Sequence, residues 1–236
     1  LKSTAAPTRK MAERPYLFFS TPPLGGNYLL LPEVSSERRQ YIPIGFMEPD
    51  VIAANTTLVV PGAAVYHFGV LTSSVHMAWM RTVAGRLKSD YRYSAAVVYN
   101  NFPWPEGAGG TQFIASADCG RNKLRPSHLY PSNPVNPVNP VKGSSCLRPS
   151  EISALSAEGH EAQIAATAQG ILDARARYPG ASLADLYDPL TMPGDLRAAH
   201  QANDRAVLAA YGLAADTPES EIVAHLFRLY AEKTKP

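Results

Sequence analysis

The sequence predicts an α+β protein in which a β-rich segment with one embedded helix precedes a small C-terminal helical bundle. Three features predict it: short β-prone runs before residue 106, a proline-rich stretch after it, and helical periodicity beyond residue 150. The chain has 236 residues, 45% of them hydrophobic, enough to bury a core in one or two domains. We divide it into a flexible arm (1–15), a β-rich segment (16–106), a linker or insertion (107–150) and a helical segment (151–236).

The β-rich segment contains several short runs that favour strands. The runs are 28–31, 40–44, 57–60, 64–68 and 91–99. Pro32 closes the first run, and the turn dipeptide Pro61-Gly62 closes the third. One helix is predicted between the last two runs, with Ser73 or Ser74 as its N-cap. Its apolar residues recur at every fourth position: Val75, Trp79, Val83 and Leu87.

The stretch 107–150 differs in kind from its neighbours. Asn-Pro-Val occurs three times in succession over 133–141, and proline at every third residue favours an extended, solvated backbone. We predict a disordered linker or insertion. Cys119 and Cys146 lie in it without a C-x-x-C pair, so unpaired thiols are expected rather than a zinc site, with a disulfide as the alternative.

The helical segment is predicted to hold three amphipathic helices. The first carries apolar residues at helical spacing over 164–175 and ends at Pro179-Gly180. After a short turn at 183–187, the second begins with Pro193 and stops at Gly212. In the third, Thr217 is the cap and Pro218 the first helical residue.

Charge is divided unevenly along the chain. Residues 1–150 hold 15 Lys and Arg against 8 Asp and Glu, whereas 151–236 hold 7 against 12. A basic front half suits a polyanion, although such modest asymmetry is also common in other proteins. No apolar run is long enough to cross a bilayer, and no leader is recognisable. We expect a soluble, cytoplasmic protein with no membrane partner.

We find no pattern of catalytic, cofactor-binding or metal-binding residues. The glycines of 107–110 have no helix after them, as a cofactor-binding turn would require. His67 and His76 are nine residues apart, in a predicted strand and helix, and are interpreted as structural. Nucleophile elbows, Walker loops and zinc-protease motifs do not occur.

The run 88–93 has side chains suited to reading DNA. If it is extended, Lys88, Asp90 and Arg92 share one face. A lysine can donate to guanine O6 and N7 while a carboxylate accepts from cytosine N4, so Lys88 and Asp90 could span one G·C pair. A solvated strand with local ion pairs is the alternative.

A second set of residues is suited to phosphate contacts. Residues 35–39 supply hydroxyls and guanidiniums in Ser35, Ser36, Arg38 and Arg39. Arg81 and Arg86 could extend this basic patch. A surface turn and a solvated helix would account for the same residues.

Five strings in this sequence resemble the MmeI-like (type IIL) restriction-modification enzymes, which are single-chain adenine-specific DNA methyltransferases. They are 34–46, 85–94, 99–105, 183–190 and 199–207. The family's chain resembles a nuclease, a helical connector and a methyltransferase followed by target-recognition and helical domains. The strings here match the last two alone. The matching portions are roughly 16–106 and 160–230, and the stretch 107–150 departs from the family's short linker.

The resemblance implies sequence-specific recognition of double-stranded DNA, with Lys88 and Asp90 reading one base pair and Arg92 a neighbouring one. Asn55 and Thr56, in an earlier loop, are implied as further base-reading residues. The implied partner is the methyltransferase domain of the same polypeptide, and S-adenosylmethionine and Mg²⁺ belong to that parent enzyme. This chain lacks the methyl-transfer motif, since 21–24 and 101–104 depart from it. The alternative is a structural module that docks on the methyltransferase domain and binds DNA only non-specifically.

Overall fold

The computed structural model describes residues 26–105 and 157–234, together with Ala12 and the strand residues 115–116. The first range holds two α-helices, a π-helical turn and all but one strand of two small antiparallel sheets, and the second range holds four helices. The predicted α+β class is therefore confirmed. The rest of the predicted arm and linker, including Cys119 and Cys146, lies outside the described residues.

Among the residues that the structure describes, seven strands form two sheets. Sheet A has the order β3-β1-β4-β7 and sheet B the order β2-β6-β5. Their bounds are β1 Tyr28–Pro32, β2 Val34–Ser35, β3 Gly45–Met47, β4 Thr57–Pro61, β5 Gly85–Leu87, β6 Asp90–Arg92 and β7 Ala115–Ser116. Glu33 joins the sheets, because its N–H donates to the Thr56 carbonyl (3.0 Å) and its carbonyl accepts from Tyr93 N–H (2.7 Å).

Several predicted strands are confirmed, and others are wrong. The runs 28–31 and 57–60 form β1 and β4. The run 64–68 instead begins helix α1, Val65–Leu71. Its first turn is stabilised by His67, whose Nδ1 accepts from the Ala64 N–H at 3.0 Å. Five of the seven α1 residues are buried. Because a helix buried on most sides is apolar throughout, its composition resembles that of a buried strand.

The run 40–44 is irregular, and strand β3 begins only at Gly45. Its alternation reflects the burial of Tyr41, Ile42 and Ile44 in the core. The predicted strand 91–99 is also too long. It is extended only at its start, and Ala95–Tyr99 form a π-helical turn closed by Asn100 N–H donating to the Ala95 carbonyl (2.9 Å).

The predicted embedded helix is α2, Ser74–Val83, with Ser73 as its N-cap. The hydroxyl of Ser73 accepts from His76 N–H at 3.3 Å. The helix ends earlier than its apolar period suggested, because β5 begins at Gly85 and includes Leu87.

The predicted helical bundle is confirmed. Its helices are α3 Ala157–Ala176, α4 Leu183–Leu186, α5 Gly194–Ala210 and α6 Glu219–Lys233. Pro193 and Pro218 are N-caps rather than first helical residues. Gly212 follows α5 with φ +68°, a conformation that glycine adopts at little cost. No helix in the described ranges is both long and apolar enough to cross a membrane.

The two described ranges share one hydrophobic core. Helix α3 packs on α5 and on α1, while α6 packs on α2. The buried cluster is continuous across the ranges, with Leu29, Phe68 and Trp79 from the first and Ile164, Val207 and Leu226 from the second. The helical segment thus completes the core of the β-rich segment.

Gly69 marks the closest approach between the ranges. A Cβ there would lie 2.8 Å from Ile164 Cγ2, 2.9 Å from Ala168 Cβ and 3.0 Å from Asn203 Oδ1. The amide of Asn203 donates to the Gly69 carbonyl at 2.8 Å, and its Oδ1 accepts from the Thr167 hydroxyl at 3.1 Å. Glycine is therefore needed here for space.

Asp204, next along α5, is a partly buried carboxylate that receives two hydrogen bonds from the first range. Ser74 N–H donates to its Oδ1 at 2.7 Å and the Tyr41 hydroxyl to its Oδ2 at 2.6 Å. The negative charge lies at the amino end of α2, where the helix dipole favours it. Burial nevertheless raises the pKa of Asp204, with the hydrogen bonds opposing that rise.

Further hydrogen bonds connect the helical segment to the first range. Arg175 donates to the Ile44 carbonyl at 2.7 Å and to the Tyr187 hydroxyl, which is hydrogen-bonded to His200 Nε2 at 2.6 Å. On the opposite side, Tyr211 donates to the Pro103 carbonyl (2.9 Å) and Lys233 to the Trp104 carbonyl (2.8 Å).

We expect Gly69→Ala to lower the free energy of unfolding by about 1–3 kcal/mol, because the new methyl meets atoms fixed to helix backbones. Gly170→Ala is the matched control, since a Cβ at this position of α3 meets nothing within 4 Å. The free energy of unfolding of this control should rise by about 0.5–1 kcal/mol, because alanine favours a helix over glycine. Urea unfolding of both variants checks this, and equal stabilisation by the two would contradict the close approach.

Stability should fall as the pH drops below about 6. Burial lowers the pKa values of His76 and His200 to about 3, so both stay neutral in the folded chain while an unfolded histidine takes up a proton near pH 6.5. Each then lowers the free energy of unfolding by about 1.4 kcal/mol per pH unit between those values. Urea unfolding at pH 7 and pH 5 measures the change. In His76→Gln the free energy of unfolding should differ less between pH 7 and pH 5. An equally large difference would show that His76 does not contribute to the pH dependence.

Candidate nucleic-acid interface

Strands β5 and β6 form a tight hairpin with Lys88 and Ser89 as its two-residue loop. Leu87 pairs with Asp90, and Lys88 has φ +58°. A positive φ at the first loop residue is typical of a type II′ turn, which favours glycine there. A lysine held in this conformation costs about 1–2 kcal/mol. The expectation that Lys88 belongs to an extended strand is wrong, because it lies in the turn.

The alternation predicted for the following residues is borne out. Asp90 and Arg92 lie on the outer face of sheet B, whereas Tyr91 and Tyr93 are buried beneath it. The Tyr93 hydroxyl is hydrogen-bonded to His76 Nε2 at 2.9 Å inside the core. The hairpin is therefore supported from below by α2, while the two charged side chains face outward.

Cross-strand pairing places three further residues on this outer face. Arg92 pairs with Val34 of β2 on one side and with Gly85 of β5 on the other, and Asp90 pairs with Leu87. Val34 and Leu87 are 38% and 50% exposed. A Cβ on Gly85 would meet no atom closer than the Arg92 carbonyl at 3.9 Å, so the fold itself does not need glycine there. We call Val34, Gly85, Leu87, Asp90 and Arg92 the outer face.

Arg86, which was predicted to contact DNA phosphate, is engaged within the hairpin. Its guanidinium lies 3.9 Å from the centre of the Tyr91 ring and donates to the Ser89 carbonyl at 2.8 Å. It also pairs with Glu37 at 3.4 Å. These contacts brace the turn and join it to the segment after β2.

Arg81 has partners in both ranges. It pairs with Glu219 of α6 at 3.0 Å and donates to the Gln40 carbonyl at 3.2 Å. The guanidinium therefore fastens α2 to its neighbours, a role that the basic-patch prediction did not include.

The predicted phosphate residues of 35–39 separate into two kinds. Ser35 is only 4% exposed and pairs with Tyr91, so its hydroxyl does not face solvent. Ser36 shapes a turn by accepting from Arg38 N–H at its hydroxyl (3.4 Å) and from Arg39 N–H at its carbonyl (3.1 Å). The guanidiniums of Arg38 and Arg39 have no ion-pair partner among the residues that the structure describes.

Asn55 and Thr56 are exposed in the turn that precedes β4. Glu33 connects this turn to sheet B, because it is hydrogen-bonded to Thr56 on one side and to Tyr93 on the other. The structure thus brings the Asn55–Thr56 loop to the side of sheet B on which Val34 pairs with Arg92.

Comparison with known proteins identifies both segments. Residues 1–106 match the family model "MmeI, target recognition domain", and residues 157–236 match "MmeI, C-terminal domain". The chain belongs to the MmeI family. It is 34% identical over 234 residues to DNA methyltransferase A of Bacillus subtilis (strain 168), covering 99% of this chain and 21% of that protein. The solved Type IIL restriction-modification enzyme MmeI in complex with DNA is 38% identical, with a TM-score of 0.69 and coverage of 99% of this chain and 25% of that one.

The outer face of this MmeI-family chain lies within the target recognition match. Arg197, within the match to the C-terminal domain, is a residue that the sequence analysis did not single out. Arg197 of α5 lines the same cleft as Arg38 and Arg39. In the sequence it is one more arginine of an amphipathic helix. Val34, Gly85 and Leu87 were also missed, because their places depend on a strand register that the sequence does not specify.

The described residues of this MmeI-family chain fit neither S-adenosylmethionine nor a metal ion. The connection from β4 to α1 contains one glycine, Gly62, whereas a turn that binds such a cofactor is glycine-rich. Within the described ranges, no group of three or more His, Cys, Asp or Glu side chains is placed to hold a metal.

Proposed function

We propose that this chain selects the DNA sequence at which an adenine-N6 methyltransferase of a restriction-modification system acts. The outer face of sheet B and the turn at Lys88 enter a groove of double-stranded DNA and read base edges. The catalytic domain, with its S-adenosylmethionine and Mg²⁺, belongs to the remainder of the parent polypeptide, which acts on DNA in the cytoplasm. The much greater length of both relatives supports this division.

The observation that carries the proposal is a set of charges of both signs on a hairpin with a rigid base, with Lys88 and Arg92 exposed and Asp90 half-buried. Lys88, Asp90 and Arg92 make no ion pair with any described residue. Buried Tyr91 and Tyr93 fix the backbone that presents them. A two-stranded ribbon fits the major groove of B-DNA, which is roughly 12 Å wide. Charges left unpaired in the free protein remain available for bases.

Each side chain has a distinct role in this arrangement. Lys88, at the tip, donates to guanine O6 and N7, while Asp90 accepts from the N4 amino group of the paired cytosine. Arg92, further from the tip, reaches a neighbouring base pair. Asn55 and Thr56 contact the next bases from the adjacent loop.

Val34 and Leu87 give the outer face an apolar component beside its charges. Apolar side chains contact the C5 methyl of thymine in the major groove. Their exposure in the free protein supports a surface that is covered when DNA binds.

Exchange of the charges, in a Lys88→Asp and Asp90→Lys double variant, should change which base pair is preferred at one position. Each good bidentate contact contributes about 1–3 kcal/mol of discrimination, so preference should shift by roughly 5-fold to 150-fold. Selection of bound duplexes from a randomised library measures it. The matched control exchanges an ion pair of the helical segment, Arg177→Asp with Asp195→Arg, whose charged atoms are 3.0 Å apart, and it should leave base preference unchanged.

Equal loss of affinity for every duplex in the Lys88–Asp90 exchange would contradict base reading. That result would favour the alternative of a module that docks on the methyltransferase domain and holds DNA non-specifically. Unchanged binding would place DNA elsewhere on the chain.

Gly85→Val should leave stability unchanged or slightly higher while lowering DNA affinity at least tenfold. The added side chain meets no protein atom closely, and valine favours strands over glycine, but it fills space beside Arg92 that DNA would occupy. Thermal unfolding and fluorescence anisotropy with duplex DNA measure the two effects. Gly180→Val is the control, because its Cβ also meets nothing within 4 Å but lies in the helical segment. Equal affinities of the two variants would show that DNA does not approach Gly85.

A further inference from the structure

We propose that a cleft between the two segments is a backbone-binding site that holds phosphodiester groups of the same DNA, with Arg197 of α5 contributing from the helical segment. This inference rests on the proposed function but concerns the sequence-independent part of binding. It gives the helical segment direct contact with DNA.

The cleft has a volume of about 390 Å³ and is lined from both segments. Arg38, Arg39 and Arg81 face it from the first range, and Arg197 faces it from α5. Glu37 is the one acidic residue in its lining. The cleft therefore concentrates guanidinium groups although the helical segment as a whole is acidic.

Two of these charged groups are already neutralised by partners. Arg81 pairs with Glu219 at 3.0 Å, and Glu37 pairs with Arg86 at 3.4 Å. Arg38, Arg39 and Arg197 have no ion pair within the described ranges. Three unpaired guanidiniums in one concave surface favour an anion, and their planar donor geometry matches phosphate oxygens.

The walls of the cleft are held rigidly. Tyr41 is stacked on His200 with ring centres 4.1 Å apart, and its hydroxyl donates to Asp204 at 2.6 Å. Tyr187, on the other wall, is hydrogen-bonded to the same His200 at 2.6 Å. Contacts between the segments thus fix the spacing of Arg197 relative to Arg38 and Arg39.

The cleft lies beside the hairpin. Glu37 lines the cleft and pairs with Arg86 of β5, while Arg38 follows Ser35 of β2 by three residues. Three residues span at most about 11 Å, comparable to the roughly 12 Å width of the major groove. A hairpin in the groove therefore brings the cleft to a flanking backbone.

Arg197→Gln in the full chain should weaken binding to every duplex by a similar factor, about 3-fold to 10-fold near 0.1 M salt. The slope of log affinity against log salt should become shallower by about 0.9, because one phosphate is no longer neutralised by the protein. Arg197→Lys should keep most of the slope. Arg228→Gln is the matched control, since Arg228 is also an exposed helical arginine. It lies far from the cleft, because it is nine residues, about 13 Å along α6, beyond Glu219, the partner of the cleft residue Arg81. Anisotropy titrations over a salt series measure the slopes, and thermal unfolding checks the fold of each variant.

Equal affinity and slope in Arg197→Gln and Arg228→Gln would overturn the cleft as a DNA site, even if the base preference of Lys88 and Asp90 is upheld. A slope change without base preference in the intact chain would uphold the cleft and contradict the proposed function. Loss of binding confined to one duplex sequence would make Arg197 a base-reading residue and also overturn the proposal.

Discussion

The close approach of α1 to α3 and α5 at Gly69 is the constraint on which the rest of the structure depends. No side chain fits at position 69 between these helices, and the Asn203 amide donates to the Gly69 carbonyl that the contact buries. Asp204, the next residue, receives Ser74 N–H and the Tyr41 hydroxyl. Two successive residues of α5 thus fix the position of α1 and the start of α2, because buried polar groups need specific partners.

Helix α2 in turn fixes the position of the β5–β6 hairpin. Helix α2 leads through Ala84 into β5, and its His76 is hydrogen-bonded to Tyr93 just after β6. Both strands are therefore attached to a helix whose amino end is held by the helical segment. This connection explains how a short hairpin with an exposed outer face can keep Lys88 in a left-handed conformation. The energy stored in the turn is offset by packing below it.

Sequence periodicity predicted the elements whose burial is one-sided, and it failed where burial is continuous. The C-terminal helices and α2 have apolar stripes at helical spacing, and their ends followed from Ser73 and Gly212. Helix α1 is buried nearly all round, so its composition could not be distinguished from that of a strand. For the site, the alternation of 90–93 was predictable, but the turn at Lys88 was not, because no glycine or asparagine marks it. The ion-pair partners of Arg81 and Arg86, which are Glu219 and Glu37, are distant in sequence, and local patterns do not reveal them.

The shared core also limits how such proteins can be recombined. A chimaera that joined the target recognition segment of this chain to the helical segment of a relative would place Gly69 against whatever residues that relative has at the positions of Ile164, Ala168 and Asn203. A larger residue at 69, or an apolar one at 203, would leave the graft with a collision or an unsatisfied carbonyl. An exchange of segments therefore disturbs the shared core least when its boundaries enclose only the β5–β6 hairpin, or when both segments move together.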